Sequence, residues 1–458
     1  MDKRLLEALK EIVGEDYVTD DPEVVKGYLY DETALPVRPK AACNIILVRP
    51  GSPREVSEIL KLANREKVPV FPRGGGTGLV GAVIPTSDGI VLSMERFDKI
   101  EVDKDNLMAI AEAGVTLKRL IDEAEKAGLF FPAHPGDESA QIGGLVACNA
   151  GGSRAVKTGV MRNYVRGIEV VLPTGEILSL GGKLIKDNAG YDLMQLIIGS
   201  EGTLGVITKA IIRLYPKPKF AATLIVPYDR REDAFRTVPK ILQNGIIPLA
   251  IEYVERKLVE RTAESLGVKW PATEGEYFLI IIVSEQSENS LYEILEKLVQ
   301  ICVDNGSSEP LIADTRREQD NILKIRSEIY TFLKSDSIDI LDVTVPPANV
   351  LDLVKGIEGV AEKYGIEIPV YGHVADGNLH PHILKIDGWD MEKYKQIIEE
   401  IYREAIRLGG TITGEHGIGA IRKEYLLKFK SDKEIELMKR LKRLFDPNNI
   451  LNPGKVIP

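Results

Sequence analysis

Cysteine is scarce in this chain of 458 residues. There are three, Cys43, Cys148 and Cys302, too scattered for a Cys-x-x-Cys pair or an iron–sulfur cluster. Their spacing excludes a built-in electron-transfer cluster and fits a reduced, cytoplasmic setting. Long apolar runs are also missing. The strongest, Phe278-Leu-Ile-Ile-Ile-Val283, is far short of the ~20 residues that span a bilayer. The opening Met1-Asp-Lys-Arg-Leu-Leu-Glu7 lacks the apolar core that a secretory signal requires. The expectation is a chain with no transmembrane segment, reaching a membrane only peripherally, through a partner. A basic excess is lacking too: the net charge of −10 argues against nucleic acid but leaves room for a local cationic pocket that takes a small organic acid. Histidine is the last scarcity, with five in the chain, four of them between positions 373 and 416.

That clustering is the strongest signal of chemistry. Tyr371-Gly-His-Val-Ala-Asp-Gly-Asn-Leu-His-Pro-His382 holds three histidines around Asp376-Gly377-Asn378, a tripeptide suited to reversing a chain. His380 and His382 alternate, so on a strand they face one side. His373 precedes His380 by an odd separation and would face the other way on an unbroken strand, but a turn brings it back. Thr413-Gly-Glu-His-Gly-Ile-Gly419 adds an adjacent acid and imidazole between glycines. Two imidazoles and a carboxylate with open positions are what a catalytic divalent metal needs. The plainer alternative is a set of ordinary polar residues on a surface hairpin.

A chain of this length exceeds one ordinary core, and roughly 100–200 residues per domain suggests two to four domains. In the first half, residues 2–13 and a start at Asp21-Pro22-Glu23 read as helical, then a strand at Ile45–Val48, a helix capped at Ser52 and running to about Glu66, and a strand at 68–71. This unit leads into Pro72-Arg-Gly-Gly-Gly-Thr-Gly-Leu-Val-Gly81, a loop whose main-chain N–H groups can close around phosphate. Gly76, Gly78 and Gly81 formally match a dinucleotide fingerprint, but Pro85-Thr-Ser-Asp-Gly89 stands where the long helix of that motif belongs. Further strands are expected at 90–93, 109–113, 168–172 and 206–208, with a helix at 116–127. Two more glycine-rich patches follow, at 134–152 and at 188–205. Three such patches in one α+β region point to an extended nucleotide cofactor rather than a simple phosphate.

Arg73-Gly-Gly-Gly-Thr-Gly78, the segment 135–152 and Lys186-Asp-Asn-Ala-Gly-Tyr-Asp192 with Gly199-Ser-Glu-Gly202 resemble the FAD-binding domain of the vanillyl-alcohol oxidase and p-cresol methylhydroxylase superfamily. The resemblance implies that Arg73, Gly74, Gly75, Gly76, Thr77 and Gly78 hold the pyrophosphate. It places Pro135, Gly136, Ser139, Gly143, Gly144, Asn149 and Gly151 along the rest of the cofactor, with Gly202 and Asn452 beside it. Some relatives attach FAD through a histidine in the first loop. Thr77 and its neighbours include none, so non-covalent FAD is expected.

After Tyr215-Pro-Lys-Pro218 the glycine-rich character ends, and strands at 222–226, 278–283 and 338–345 alternate with helices at 231–244, 290–305 and 316–333. The expected fold is α+β: a two-part FAD-binding domain of the p-cresol methylhydroxylase type (1–218, with a helical lead-in), a cap domain with an antiparallel sheet (219–410), and a C-terminal segment (411–458) that returns to the flavin domain after a helix at 432–444.

The histidine motifs narrow the resemblance to the glycolate oxidase large subunit, D-lactate dehydrogenase and D-2-hydroxyglutarate dehydrogenase group. It implies a divalent metal (Zn, or Mn or Fe) on His373, His380 and Glu415, His416 as general base, Arg326 on the substrate carboxylate and His382 as support beside the site. The implied reaction is oxidation of a small D-2-hydroxy acid to the 2-oxo acid, with the hydride passing to FAD. In the hydroxyglutarate enzymes a lysine before the aspartate matching Asp342 helps hold a second carboxylate. Here the stretch reads Ile338-Asp-Ile-Leu-Asp342, which favours D-lactate or glycolate. With no cysteine cluster, electrons must leave to an outside acceptor: an electron-transfer flavoprotein, an iron–sulfur subunit, a quinone, a cytochrome or O2. A homodimer is compatible with the resemblance. The rival readings are an alkylglycerone-phosphate synthase-like enzyme without net redox and a non-catalytic FAD subunit.

Overall fold

The computed structural model describes residues 3–313, 315–385, 388 and 390–457. They form an α+β protein of two compact units. The first comprises Met1–Ala150, Val160–Lys217 and Glu415–Pro458, the second Gly151–Gly159 and Pro218–Gly414.

In the first unit, β1 (Val18–Thr19), β2 (Ile45–Val48), β3 (Val70–Arg73) and β4 (Gly89–Ser93) form a sheet in the order β1-β2-β4-β3. Strands β2, β4 and β3 run parallel, as a strand–helix–strand unit demands. Its helix, Pro53–Glu66, starts where the Ser52 hydroxyl accepts the Glu55 amide. Val56, Ile59, Leu60 and Ala63 recur at helical spacing and are buried with Leu5, Leu9 and Val13 of the helix Lys3–Val13. The next strands are β5 (Ile100–Asp103), β6 (Met108–Glu112), β7 (Leu129–Phe130), β8 (Val165–Val171), β9 (Ile177–Gly181), β10 (Val206–Arg213) and β11 (Tyr215–Pro216). Five of them make an antiparallel sheet in the order β5-β6-β10-β8-β9, and β7 pairs with β11. The middle of the second glycine-rich patch is a short helix, Ile142–Cys148.

The C-terminal segment joins this unit through the edge of β3. Val70 N donates to Ile450 O and Asn452 N donates to Val70 O, both at 2.7 Å. Lys442, on the helix Asp432–Phe445, holds that return in place. Its buried Nζ donates to Thr203 O and Leu451 O and pairs with Asp446 at 2.5 Å, while Asp446 accepts the amides of Ile450 and Leu451.

The second unit contains β12 (Phe220–Tyr228), β13 (Ala250–Glu255), β14 (Tyr277–Glu285), β15 (Leu311–Ala313), β16 (Ser337–Ile340), β17 (Val343–Thr344), β18 (Val370–His373) and β19 (Asn378–Leu384). They form one sheet in the order β15-β12-β14-β13-β18-β19-β16, with β17 on β19, and every pairing is antiparallel. One face carries Ile225, Val254, Phe278 and Ile280. It packs on Leu258 and Val259 of the helix Arg256–Ser265, Ile322 and Ile325 of Arg316–Ser327, and Ile329 and Leu333 of Ile329–Lys334.

The structure departs from the sequence reading in detail. The strand expected at 68–71 starts at Val70. The helix expected at 316–333 is two helices that meet at Glu328. The strand expected at 338–345 is split into β16 and β17 at Leu341-Asp342, where the Asp342 carboxylate draws in Asn378, Thr413 and Gly414. Strand β13 has no counterpart in the sequence reading, because charged residues interrupt its apolar run.

The Lys442 network yields an expectation for stability. Lys442→Met leaves Asp446 buried without its cation, and breaking a buried pair on one side costs about 3–5 kcal/mol. Chemical denaturation should show the first unit destabilised by that order. An unchanged midpoint would contradict the assignment.

Candidate active site

In the second unit the site grows from the β18–β19 hairpin. Tyr371 pairs with His380 and His373 with Asn378, so the turn between the strands returns the chain in register. Gly377 is required in that turn: its φ is +87°, and a Cβ there would stand 1.8 Å from Val345 O. Directly opposed and alternating residues share a face, which puts Tyr371, His373, Asn378, His380 and His382 together. The rings of His373 and His380 lie edge to face with centroids 5.1 Å apart, and Tyr371 stands 5.6 Å from His380 and 5.4 Å from His382.

His382 is fully buried and both its ring nitrogens are engaged. The Ser337 hydroxyl donates to Leu333 O, so it accepts from His382 Nδ1 at 2.7 Å, and the Tyr371 hydroxyl then donates to Nε2 at 3.1 Å. This histidine supports Tyr371 and has no nitrogen to offer an ion. Asp342, also buried, accepts from Asn378 Nδ2 (2.8 Å), Thr413 Oγ1 (2.7 Å) and the Gly414 amide (2.8 Å), and lies 3.9 Å from His380 Nδ1.

The neighbouring strand contributes Glu252, directly opposite His373 in the β13–β18 ladder and 2% exposed. One carboxylate oxygen accepts from His373 Nδ1 at 2.6 Å; the other pairs with the guanidinium of Arg326, which also lies 4.7 Å over the Tyr371 ring. Burial pushes the Glu252 carboxyl up. Arg326, then His373 and His380, outweigh that and hold it below its ordinary value. Since a carboxylate can only accept, the proton of neutral His373 sits on Nδ1 and the lone pair on Nε2. The buried Nε of Arg326 has no hydrogen-bond partner among the described residues. Two adjacent imidazoles, one tied to a carboxylate, form a donor set suited to a divalent metal.

Glu415 and His416 belong to the first unit, directly after Gly414. His416 Nε2 lies 3.8 Å from Glu415 Oε1, and Cys148 Sγ donates to Glu415 O at 3.3 Å. Glu201 holds the rest of this loop, its two oxygens accepting the amides of Ile418 (2.8 Å) and Gly419 (2.7 Å). Gly417 has φ +88°, and a Cβ there would stand 3.0 Å from the Glu201 carboxyl.

The first unit also carries the glycine cradle. Arg73 ends β3 and donates to Tyr30 O at 2.9 Å, and Gly76 turns the following loop at φ +74°. A Cβ on Gly75 would meet Ser139 O at 3.1 Å and one on Gly74 would lie 3.8 Å from Gly144 Cα, so the loop bearing Thr77 and Gly78 rests on the segment 139–144. Gly143 is pressed against Ala113, whereas a Cβ on Gly136 or Gly144 would meet nothing within 4 Å. Pro135 lies in the loop before the helix Ile142–Cys148, and Asn149 caps that helix at φ +55°. Gly202 has φ +67° beside Pro72 and Asn452, whose Nδ2 donates to Ala82 O and Glu201 O. This backbone-lined surface, with open space over Gly136 and Gly144, fits an extended nucleotide. Gly151 falls in the second unit, and the stretch 186–192 is exposed, Tyr191 at 97%.

Two site residues escape a reading of the sequence alone. Glu252 stands in Ala250-Ile-Glu-Tyr-Val254, where a lone acid among strand formers was the signal of a buried charge. Glu201 lies in a motif whose glycines draw attention away from it.

Residues 45–181 match the FAD binding domain family, and residues 217–456 match the family described as FAD linked oxidases, C-terminal domain. The chain belongs to the FAD-linked oxidases and is an FAD-dependent oxidoreductase. It is similar to a D-lactate dehydrogenase of Archaeoglobus fulgidus, 45% identical over 94% of this chain and 95% of the relative. The glycolate oxidase subunit GlcD of Bacillus subtilis is 40% identical over 90% of this chain and 88% of the relative. In fold it resembles p-cresol methylhydroxylase, with a TM-score of 0.79, 17% identity, and coverage of 99% of this chain and 96% of that one. No helix among the described residues is long and apolar enough to cross a membrane.

Glu201→Gln replaces one of two acceptors with a donor facing an amide. The mismatch at this half-buried carboxylate is expected to cost about 1–3 kcal/mol and to lower the thermal midpoint; a midpoint equal to wild type would contradict Glu201 as the anchor of the His416 loop.

Proposed function

We propose that this chain oxidises a D-2-hydroxy acid, D-lactate or glycolate, to the corresponding 2-oxo acid. The observation that carries this reading is Arg326: a guanidinium held on Glu252 and over Tyr371, with a buried Nε that no described residue satisfies, beside two adjacent buried imidazoles. An orphaned cationic donor is suited to an anionic ligand, and a carboxylate matches its planar fork. The similarity to a D-lactate dehydrogenase and a glycolate oxidase subunit supports the same substrate class.

His373, His380 and Glu415 would hold a divalent metal. Arg326 would bind the substrate carboxylate and orient the molecule, and His416 would take the hydroxyl proton, general-base work that an imidazole nitrogen can do. Asp342 keeps Thr413 and Gly414 in place immediately before Glu415 and His416. The chemistry supplied by the bound groups is polarisation of the substrate hydroxyl by the metal and acceptance of the Cα hydride by FAD. FAD is non-covalent in this reading, because Thr77 and the glycines around it offer no histidine for attachment. The functional division is a flavin domain at 1–218, a substrate domain at 219–410 and a returning segment at 411–458. Leu341, fully buried and apolar, offers no cation for a second carboxylate, which favours a monocarboxylate over 2-hydroxyglutarate. The electrons removed from the substrate would leave to an outside acceptor such as an electron-transfer flavoprotein, an iron–sulfur subunit, a quinone or a cytochrome.

Exhaustive EDTA treatment is expected to abolish turnover of D-lactate, with recovery on adding Zn2+ or Mn2+. His416→Gln should lower kcat by about 10²–10⁴-fold while flavin content stays constant. Retained turnover after metal removal would sink the metal assignment, and full kcat in the His416 variant would sink the assignment of the base.

A further inference from the structure

We infer that Glu252 is a positioning residue that couples two halves of the site, holding the metal-binding imidazole of His373 with one carboxylate oxygen and the substrate-binding guanidinium of Arg326 with the other. This inference rests on the reading of His373 as a metal ligand and Arg326 as the substrate's partner.

Glu252 occupies an inner strand, β13, between β14 and β18. The residues that alternate with it, Ala250 and Val254, are buried and apolar, and its ladder partner on β14 is Ile280. An apolar side chain at this position would serve the sheet without taking a charge out of water, which is costly unless the charge is paired on good geometry. Glu252 is paired on both oxygens, and both partners are the groups the chemistry needs. Oε1 takes the Nδ1 proton of His373 at 2.6 Å, which selects the tautomer with its lone pair on Nε2 and fixes the ring plane. Oε2 forms an ion pair with Nη2 of Arg326, whose Nε donor meets no hydrogen-bond partner among the described residues. Tyr371 backs the same guanidinium and stands beside the His380 ring, so a shift of Arg326 is felt on the histidine face as well. A single carboxylate therefore sets two orientations at once, and neither can relax without disturbing the other.

Glu252→Gln separates this role from simple charge compensation. An amide has one acceptor and one donor end, so it cannot accept from His373 Nδ1 and from Arg326 at once: it either turns its NH2 on the guanidinium, or keeps Arg326 and donates to His373 Nδ1, which moves the ring proton to Nε2 where the metal would bind. Two quantities are read on the FAD-loaded full chain after EDTA stripping: Zn2+ affinity by isothermal titration, and KM for D-lactate after reloading Zn2+. Zn2+ affinity should fall by about 10–100-fold and KM should rise by about tenfold or more, with the visible flavin spectrum unchanged. Glu252→Asp, which keeps both acceptors on a shorter arm, should recover part of each loss. In the double variant with His373→Ala, Glu252→Gln should cause no further loss of Zn2+ affinity. Wild-type Zn2+ affinity and KM in Glu252→Gln, with only a lowered thermal midpoint, would overturn the inference and leave Glu252 a structural residue. A Glu252→Gln chain that yields no flavin-loaded protein would also count against it. If the wild-type chain itself binds no Zn2+, or its flavin is not reduced by D-lactate, the proposed function fails instead, and the two failures are distinguishable.

Discussion

A carboxylate buried on an inner strand must have its charge met on the spot, and the second unit is arranged around that demand at Glu252. The strand order brings β18 alongside, so that His373 faces it. The helix Arg316–Ser327 lies on the same sheet face and lowers Arg326 onto the remaining oxygen. Remove the charge and there is no reason for a guanidinium to sit on the apolar side of a sheet. Keep it, and the imidazole and the guanidinium are held at fixed angles without any loop to hold them. Sites built on strands and packed helices are held more tightly than sites built on loops.

The second constraint is register. Tyr371, His373, Asn378, His380 and His382 reach one face only because a turn closed at Gly377, against Val345 O, returns the chain in phase. A slip of one residue would send every one of those side chains to the other face. Asp342 ties the hairpin to the outgoing chain by taking Asn378 on one side and Thr413 and Gly414 on the other. In the first unit Glu201 performs the matching service for the Gly417–Gly419 turn, and the glycine loop at 73–78 rests on the segment 139–144 to make a cradle of backbone.

Much of this is legible in the sequence, and the limits have physical causes. Capped, amphipathic helices such as Pro53–Glu66 announce both ends, and the glycine-rich stretches and the clustered histidines stand out by composition. The alternation of His380 and His382 and the turn at 376–378 are enough to expect their face. What a linear reading misses are residues whose importance comes from a partner far along the chain: Glu252 acts on positions 326 and 373, and Glu201 on positions 418 and 419. Strand β13 is hidden by the same glutamate that makes it useful, since a charge inside an apolar run lowers its resemblance to a buried strand. The break at Asp342 is invisible for a similar reason, its cause being hydrogen bonds to Thr413 and Gly414.

The central claim is that a flavin in the glycine cradle is reduced by a 2-hydroxy acid held at the imidazole and guanidinium site. It is tested most directly by mixing the FAD-loaded protein anaerobically with a panel of D- and L-2-hydroxy acids while following the flavin absorbance. The account predicts bleaching by D-lactate or glycolate, little by D-2-hydroxyglutarate and none by L-lactate. A flavin that stays oxidised with every acid in the panel would contradict it.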